Sequence, residues 1–248
     1  MTVHVSNFNI GRGGTTSPNA PNQFSDTFNR ASGGLGKNWI QTMGPFTPII
    51  NPVGCGTWSI GACSDASQGC ILSYVGSVNP GMWWSSGLIC APLYMSCWGL
   101  SQFSEWKLIT LTDGGLLNVI GGPSVLNLNT GQLSLGSQAN GHSCYSFQTA
   151  SDGSAALRRG NAGAFTTLAS VAAATISAGD VLRLEAVVVA GVSTVLTAKK
   201  NGSTIMSFSD IPATMLVGGS PGHYALQIDG TAAEVMVYQF RNFNGGRL

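Results

Sequence analysis

The groups able to do acid–base or nucleophilic chemistry are few and scattered in this sequence. Its ten carboxylates are Asp26, Asp65, Glu105, Asp113, Asp152, Asp180, Glu185, Asp210, Asp229 and Glu234. Glycosidic hydrolysis with retention needs two carboxyl groups roughly 5 Å apart across the scissile bond. A clustered acidic strand would supply such a pair. Here no two glutamates stand close together, and Glu105 has no acidic residue two positions on. His142 and Cys144 are two apart and would share a strand face, the start of a Cys–His dyad. The plainer reading is a buried or disulfide-bonded cysteine beside a loop histidine. No Gly-x-Ser-x-Gly elbow and no Gly-Lys-Ser/Thr phosphate loop occurs. No catalytic residue, metal site or cofactor is expected. Calcium, held by clustered Asp/Asn loops, has only isolated candidates: Asp65, Asp113 with Asn118, and Asp152.

Binding groups are better represented. Trp83, Trp84, Tyr94 and Trp98 lie in a turn-rich region. Flat rings stack on the C–H faces of sugars, so these four are the candidate glycan or partner contacts. The alternative is packing inside the domain or against a second subunit. The same region concentrates cysteine. Of Cys55, Cys63, Cys70, Cys90, Cys97 and Cys144, the first five precede Trp98. The number is even, no Cys-x-x-Cys pair exists, and His4, His142 and His223 lie elsewhere, which disfavours zinc. All six are candidate disulfide cysteines, with free buried thiols as the alternative.

Composition narrows the partners. Charged residues make up 8% of the 248 residues and the net charge is +1, against roughly 25% charged in an ordinary soluble domain. Electrostatic steering is weak, and no nucleic-acid partner is expected. No stretch approaches the roughly 18 apolar residues of a membrane span, and residues 1–10 lack a basic segment followed by an apolar one. The expectation is cytoplasmic synthesis without that export route and without membrane insertion. Low charge with 34 glycines suits a chain that sits among neighbours; a robust secreted β-protein is the alternative.

The positioning elements read as strands. Asp180–Val187 alternates, with Leu182, Leu184 and Ala186 on one face and Arg183 and Glu185 on the other. Asn201-Gly202 marks a hairpin turn, because both central positions of a type I′ turn take positive φ. A last strand over residues 233–243 has apolar residues on both faces. No segment sustains helical periodicity apart from Ala169–Ala174, whose flanks favour strand or loop. Residues 1–23 read as an extended N-terminal arm. In it Val3 and Val5 share one strand face, Phe8 and Ile10 share the other register, and a Gly/Pro tract follows. Such an arm could add to a neighbour's sheet edge. Residues 24–248 form one β-sandwich, with residues 51–104 as its Cys/Trp-rich, loop-containing part.

Two segments carry a resemblance. Phe24-Ser25-Asp26-Thr27-Phe28-Asn29-Arg30-Ala31, then Gly34-Leu35-Gly36 and Asn38-Trp39, resembles the opening of concanavalin A-like (LamG-like) domains in tailed-phage minor tail proteins, notably those of actinobacterial phages. Ala178-Gly179-Asp180-Val181-Leu182-Arg183-Leu184-Glu185, then Lys200-Asn201-Gly202 and Phe240, is similar to the family's late strands. The Cys/Trp-rich middle departs from the pattern. The resemblance implies an all-β, two-sheet antiparallel jelly-roll sandwich of the concanavalin A-like lectin/glucanase type. It also implies a structural virion protein, a minor tail or capsid-surface decoration component assembled in the host cytoplasm. The implied partners are other virion proteins, copies of the chain and host-surface carbohydrate. A carbohydrate-binding module without a structural role is the alternative, and a glycosidase on the same fold is a third reading.

Overall fold

A computed structural model describes residues 23–36, 39–45, 57–74, 83–90, 101–111, 119–127, 143–150, 154–161, 164–211, 213, 220–228 and 236–248. Its strands in chain order are β1 (Gln23–Asp26), β2 (Trp39–Pro45), β3 (Thr57–Ala62), β4 (Gln68–Tyr74) and β5 (Trp83–Cys90). They continue as β6 (Gln102–Leu111), β7 (Val119–Asn127), β8 (Ser143–Ala150), β9 (Ala155–Asn161) and β10 (Ala164–Val171). The last five are β11 (Val181–Val189), β12 (Ser193–Lys200), β13 (Ser203–Asp210), β14 (Ser220–Ile228) and β15 (Met236–Arg247). There is no helix among the described residues. Gln23, grouped with the arm on sequence, is the first residue of β1.

The strands form two antiparallel sheets. An eight-stranded sheet runs β13-β12-β11-β6-β15-β4-β3 with β1 also paired to β15; a seven-stranded sheet runs β10-β9-β8-β7-β14-β5-β2. Facing contacts join β10 to β13, β8 to β11, β7 to β6 and β14 to β15. The chain changes sheet between β1 and β2, β2 and β3, β4 and β5, β5 and β6, β6 and β7, β10 and β11, β13 and β14, and β14 and β15. This wrapping makes a two-sheet antiparallel jelly-roll sandwich, the architecture that the resemblance implies.

Local chemistry explains the clearest elements. On β11, Leu182, Leu184 and Ala186 are buried and alternate with Arg183 and Glu185 on the outer face, as the period-two pattern requires. Asn201 and Gly202, at φ 50° and 82°, close the hairpin in which Lys200 pairs with Ser203. The last strand is internal, between β6 and β4. Gln239 and Phe240 are consecutive, hence on opposite faces, and both are buried.

The core centres on Trp106 of β6. Its ring lies 5.8 Å from Phe28, 5.6 Å from Trp39, 5.5 Å from Phe240 and 4.7 Å from Phe243, centroid to centroid. Phe240 and Phe243 are three apart, so a regular strand would send them to opposite faces. A register shift between Arg241 and Asn244, with Asn242 at φ 53°, turns both inward. Gly69 is required where β4 meets β15. A Cβ there would lie 2.6 Å from the Phe240 carbonyl oxygen and would collide with the Cys63 sulfur.

Candidate functional site

Every carboxylate among the described residues is held by donors. Asp26 accepts hydrogen bonds from the Phe28 amide at 2.8 Å, from Arg30 at 2.7 and 3.1 Å, and from the Trp39 indole at 2.8 Å. Arg30 also donates to the Leu35 carbonyl, so the opening motif ties its own loop together, with Phe28 and Trp39 as buried plugs. Burial pushes the Asp26 carboxyl up, but the hydrogen bonds from Arg30, Trp39 and Phe28 outweigh it and leave the group below its ordinary value. Asp65, one of the calcium candidates, accepts from the Ser67 hydroxyl and amide and lies 3.5 Å from Arg241. Asp180 holds the Ser177 amide and Asn201.

On the outer face of the eight-stranded sheet, Arg183 lies between Glu105 (3.5 Å) and Glu185 (2.8 Å), and Lys199 also reaches Glu185 at 2.8 Å. The Arg183 guanidinium stacks 3.8 Å over the Phe103 ring. Partial burial raises the Glu185 carboxyl, and hydrogen bonds from Lys199 and Arg183 bring it below its ordinary value. A general acid for glycoside cleavage needs the opposite shift, so that it holds a proton near neutrality. Asp113, Asp152, Asp229 and Glu234 lie outside the described residues. Among the described residues no three or more His, Cys, Asp or Glu side chains gather as metal ligands.

The seven-stranded sheet is electrostatically different: none of its strands contains an aspartate or glutamate. Its arginines are the consecutive pair Arg158 and Arg159 of β9. Arg159 turns inward and crosses the sandwich to Asp210 of β13 at 2.5 Å. Asp210 also accepts from the Tyr145 hydroxyl of β8 at 2.6 Å. Arg158 turns outward, opposite Ser146 of β8 on one side and Thr167 of β10 on the other. Its Nε has no hydrogen-bond partner, and burial lowers its pKa from the ordinary guanidinium value. Gln148 shares this face. It is 1% exposed, and neither its amide oxygen nor its amide nitrogen has a partner. A buried polar group left unsatisfied costs about 1–3 kcal/mol; Gln68, Gln102 and Arg241 of the eight-stranded sheet also carry such atoms. Sequence reading missed the pair, and the only signal was two adjacent arginines in an otherwise uncharged region.

The sequence-derived candidates fall as follows. Cys63 and Cys70 carry free thiols, which corrects the disulfide expectation for these two. Cys70 stands opposite Ile60 in the β3–β4 pairing, whereas Cys63 closes the turn onto Ser67, so neither is the other's register partner. Burial pushes both thiols up. Cys90 ends β5 opposite Trp39 and Cys144 lies in β8 opposite Gly160; their side chains, with Cys55, Cys97 and His142, are outside the described residues. Trp83 and Trp84 open β5, opposite Ile228 and Gln227 of β14. Their side chains, with Tyr94, Trp98 and the arm residues Val3, Val5, Phe8 and Ile10, are also outside.

No protein-family model matches the sequence, and no curated protein does. Among solved structures, the chain is similar to a Bacillus subtilis protein of unknown function with a galectin-like fold. That match has 11% identity and a TM-score of 0.49, covering 90% of this chain and 94% of that one. It is also similar to the carbohydrate recognition domain of Emp47p, with 11% identity, a TM-score of 0.48, and 91% and 95% coverage. A third likeness is to a Bacillus licheniformis β-glucanase, with 10% identity, a TM-score of 0.48, and 92% and 99% coverage. The strand order, not these likenesses, defines the fold, and its two sheets carry one charged and one nearly charge-free face.

Proposed function

We propose that this chain is a non-catalytic, lectin-like structural component of a tailed-phage virion, in a minor tail or capsid-surface decoration position, whose sandwich contacts host-surface glycans. The observation that carries the non-catalytic part is the engagement of all six described carboxylates, Asp26, Asp65, Glu105, Asp180, Glu185 and Asp210, by structural donors. A hydrolase needs one carboxyl free to move a proton and a second free to attack or to activate water.

The virion part is supported by the resemblance of the opening and late segments and by the edges of the sandwich. The edge strands β10 and β13 lie on one flank. The only charged side chain in either is Asp210, which is buried. Freely soluble β-proteins guard their edges with charge or proline; uncharged edges suit a chain surrounded by neighbours. Residues 1–23 would be the attachment to such a neighbour.

Mass spectrometry of purified particles tests the virion assignment, which particles lacking the chain would overturn. Deleting residues 2–20 should leave a folded sandwich that no longer incorporates. A panel of host-wall glycans should show binding without turnover. Turnover abolished by Glu105→Gln would overturn the non-catalytic reading, and binding by a chain absent from particles would favour a free-standing carbohydrate-binding module.

A further inference from the structure

The exposed large apolar side chains among the described residues all lie at one end of the eight-stranded sheet. They are Val187, Val189, Val192, Ile211 and Leu248, 36–59% exposed. Val187 and Val189 are on the outer face of β11, in line with Arg183 and Glu185. Val192 closes the turn onto Val189, and Ile211 directly follows Asp210, the partner of Thr194 on β12. Leu248 donates its amide to the Ser101 carbonyl, and the Ser101 hydroxyl accepts from the Val188 amide. Single exposed apolar residues are ordinary, but a group gathered in one place marks a contact surface.

The same end is where residues 1–22 join the sandwich. Gln23 pairs with Gly246 of β15, Arg247 of β15 with Gln102 of β6, and Gln102 with Ala186 of β11. Three strand spacings of about 4.8 Å therefore separate the base of that segment from β11. We propose that the patch is the seat for residues 3–10 of a second copy of the chain, exchanged reciprocally in a symmetric dimer. The inference rests on the reading of residues 1–23 as an attachment and names what they attach to.

Occupant and seat match in chemistry. Residues 3–10 carry Val3, Val5, Phe8 and Ile10 and no aspartate, glutamate, lysine or arginine, and so short a segment cannot bury those side chains by itself. Glu185 and Asp210, which border the patch, are already ion-paired, and Arg247 stands at its edge as a cation that meets no like charge from Lys or Arg in residues 3–10. Residues 11–22 reach up to about 40 Å when extended. Ser17 and Ala20 precede prolines, which biases them to extended backbone and favours departure from the sheet end over an immediate return across it. Because base and seat share one end, a twofold-related copy facing that end brings each segment to the other's patch, and the assembly closes at two.

Light scattering should give a dimer for the full chain and a monomer after deletion of residues 2–20. Val192→Lys with Ile211→Lys, at exposed positions, should also give a monomer with an unchanged circular dichroism spectrum. A second measurement does not depend on those variants. Benzoylphenylalanine in place of Phe8, irradiated in a mixture of nitrogen-15-labelled and unlabelled chains, should join two chains at residues 187–192, 211 or 248. Crosslinking within one chain overturns the proposal in favour of a segment that covers its own patch. Crosslinks to other residues, a monomeric full chain, or a dimer untouched by the Lys variants also overturn it. If the proposal fails while deletion of residues 2–20 still blocks incorporation into particles, the attachment reading stands with a different neighbour; normal incorporation of the truncated chain overturns the attachment reading itself.

Discussion

Tyr145 of the seven-stranded sheet donates its hydroxyl to Asp210 of the eight-stranded sheet at 2.6 Å, and both residues are about 2% exposed. Arg159 closes the same carboxylate from the other side. This is a polar clamp between sheets, anchored at the end of the edge strand β13. Hydrogen bonds to buried charged groups contribute about 1.5–3 kcal/mol, so Tyr145→Phe should lower unfolding free energy by about that amount. Asp210→Ala should cost about 3–5 kcal/mol, because it strands the Arg159 charge. Urea titration of the two variants and of Arg159→Met/Asp210→Leu measures this. The double variant should recover part of the loss, and equal destabilisation by all three would refute the clamp.

Acid should act through Asp26 and Glu185. Both carboxyls are lower in the folded chain than their ordinary values, despite burial that pushes each up. The folded state therefore binds their protons less readily than the unfolded state. The stability they contribute is complete above the unfolded values of about 3.9 and 4.3, and is lost as pH falls through the folded ones. Asp26→Asn should melt below wild type at pH 7, with the gap narrowing from about pH 5 downward. A gap constant from pH 7 to pH 3 would contradict this origin.

Trp106 joins the opening loop to the last strand through Phe28, Trp39, Phe240 and Phe243. Trp106→Ala should cost about 3–5 kcal/mol, the range for deleting a buried aromatic with incomplete collapse around it. Trp106→Phe keeps most ring contacts and should cost distinctly less. Guanidinium unfolding followed by far-ultraviolet circular dichroism would show both.

Cys63 and Cys70 should behave as buried thiols. Both are within 6% of complete burial, and their pKa values are raised by it, so the reactive thiolate is scarce and shielded. A maleimide should leave them unlabelled in the native chain and label both in guanidinium without reductant. Peptide mapping that finds either one in a disulfide would disprove the assignment.

The features legible in the sequence are those set by local physics. The alternation of β11 was readable because side-chain period follows directly from strand geometry. The Asn201-Gly202 turn was readable because its backbone tolerates few residue types. The opening segment, Phe24 to Trp39, was readable as a motif because it is contiguous, and the structure shows its Asp26, Arg30 and Trp39 closing on one another within fourteen residues. Tertiary structure decided the rest. Arg158 and Arg159 are chemically identical neighbours, yet Arg159 is neutralised by Asp210, 51 residues away, and Arg158 has no acidic partner among the described residues, because the pleat sends them to opposite faces and only one face meets the other sheet. Phe240 and Phe243 point the same way only because a bulge against β6 breaks the period. Gln148 reads as an ordinary polar strand residue until packing removes its water. In each case the deciding interaction comes from a strand distant in sequence, and residue type and spacing along the chain carry no record of which strands will pair.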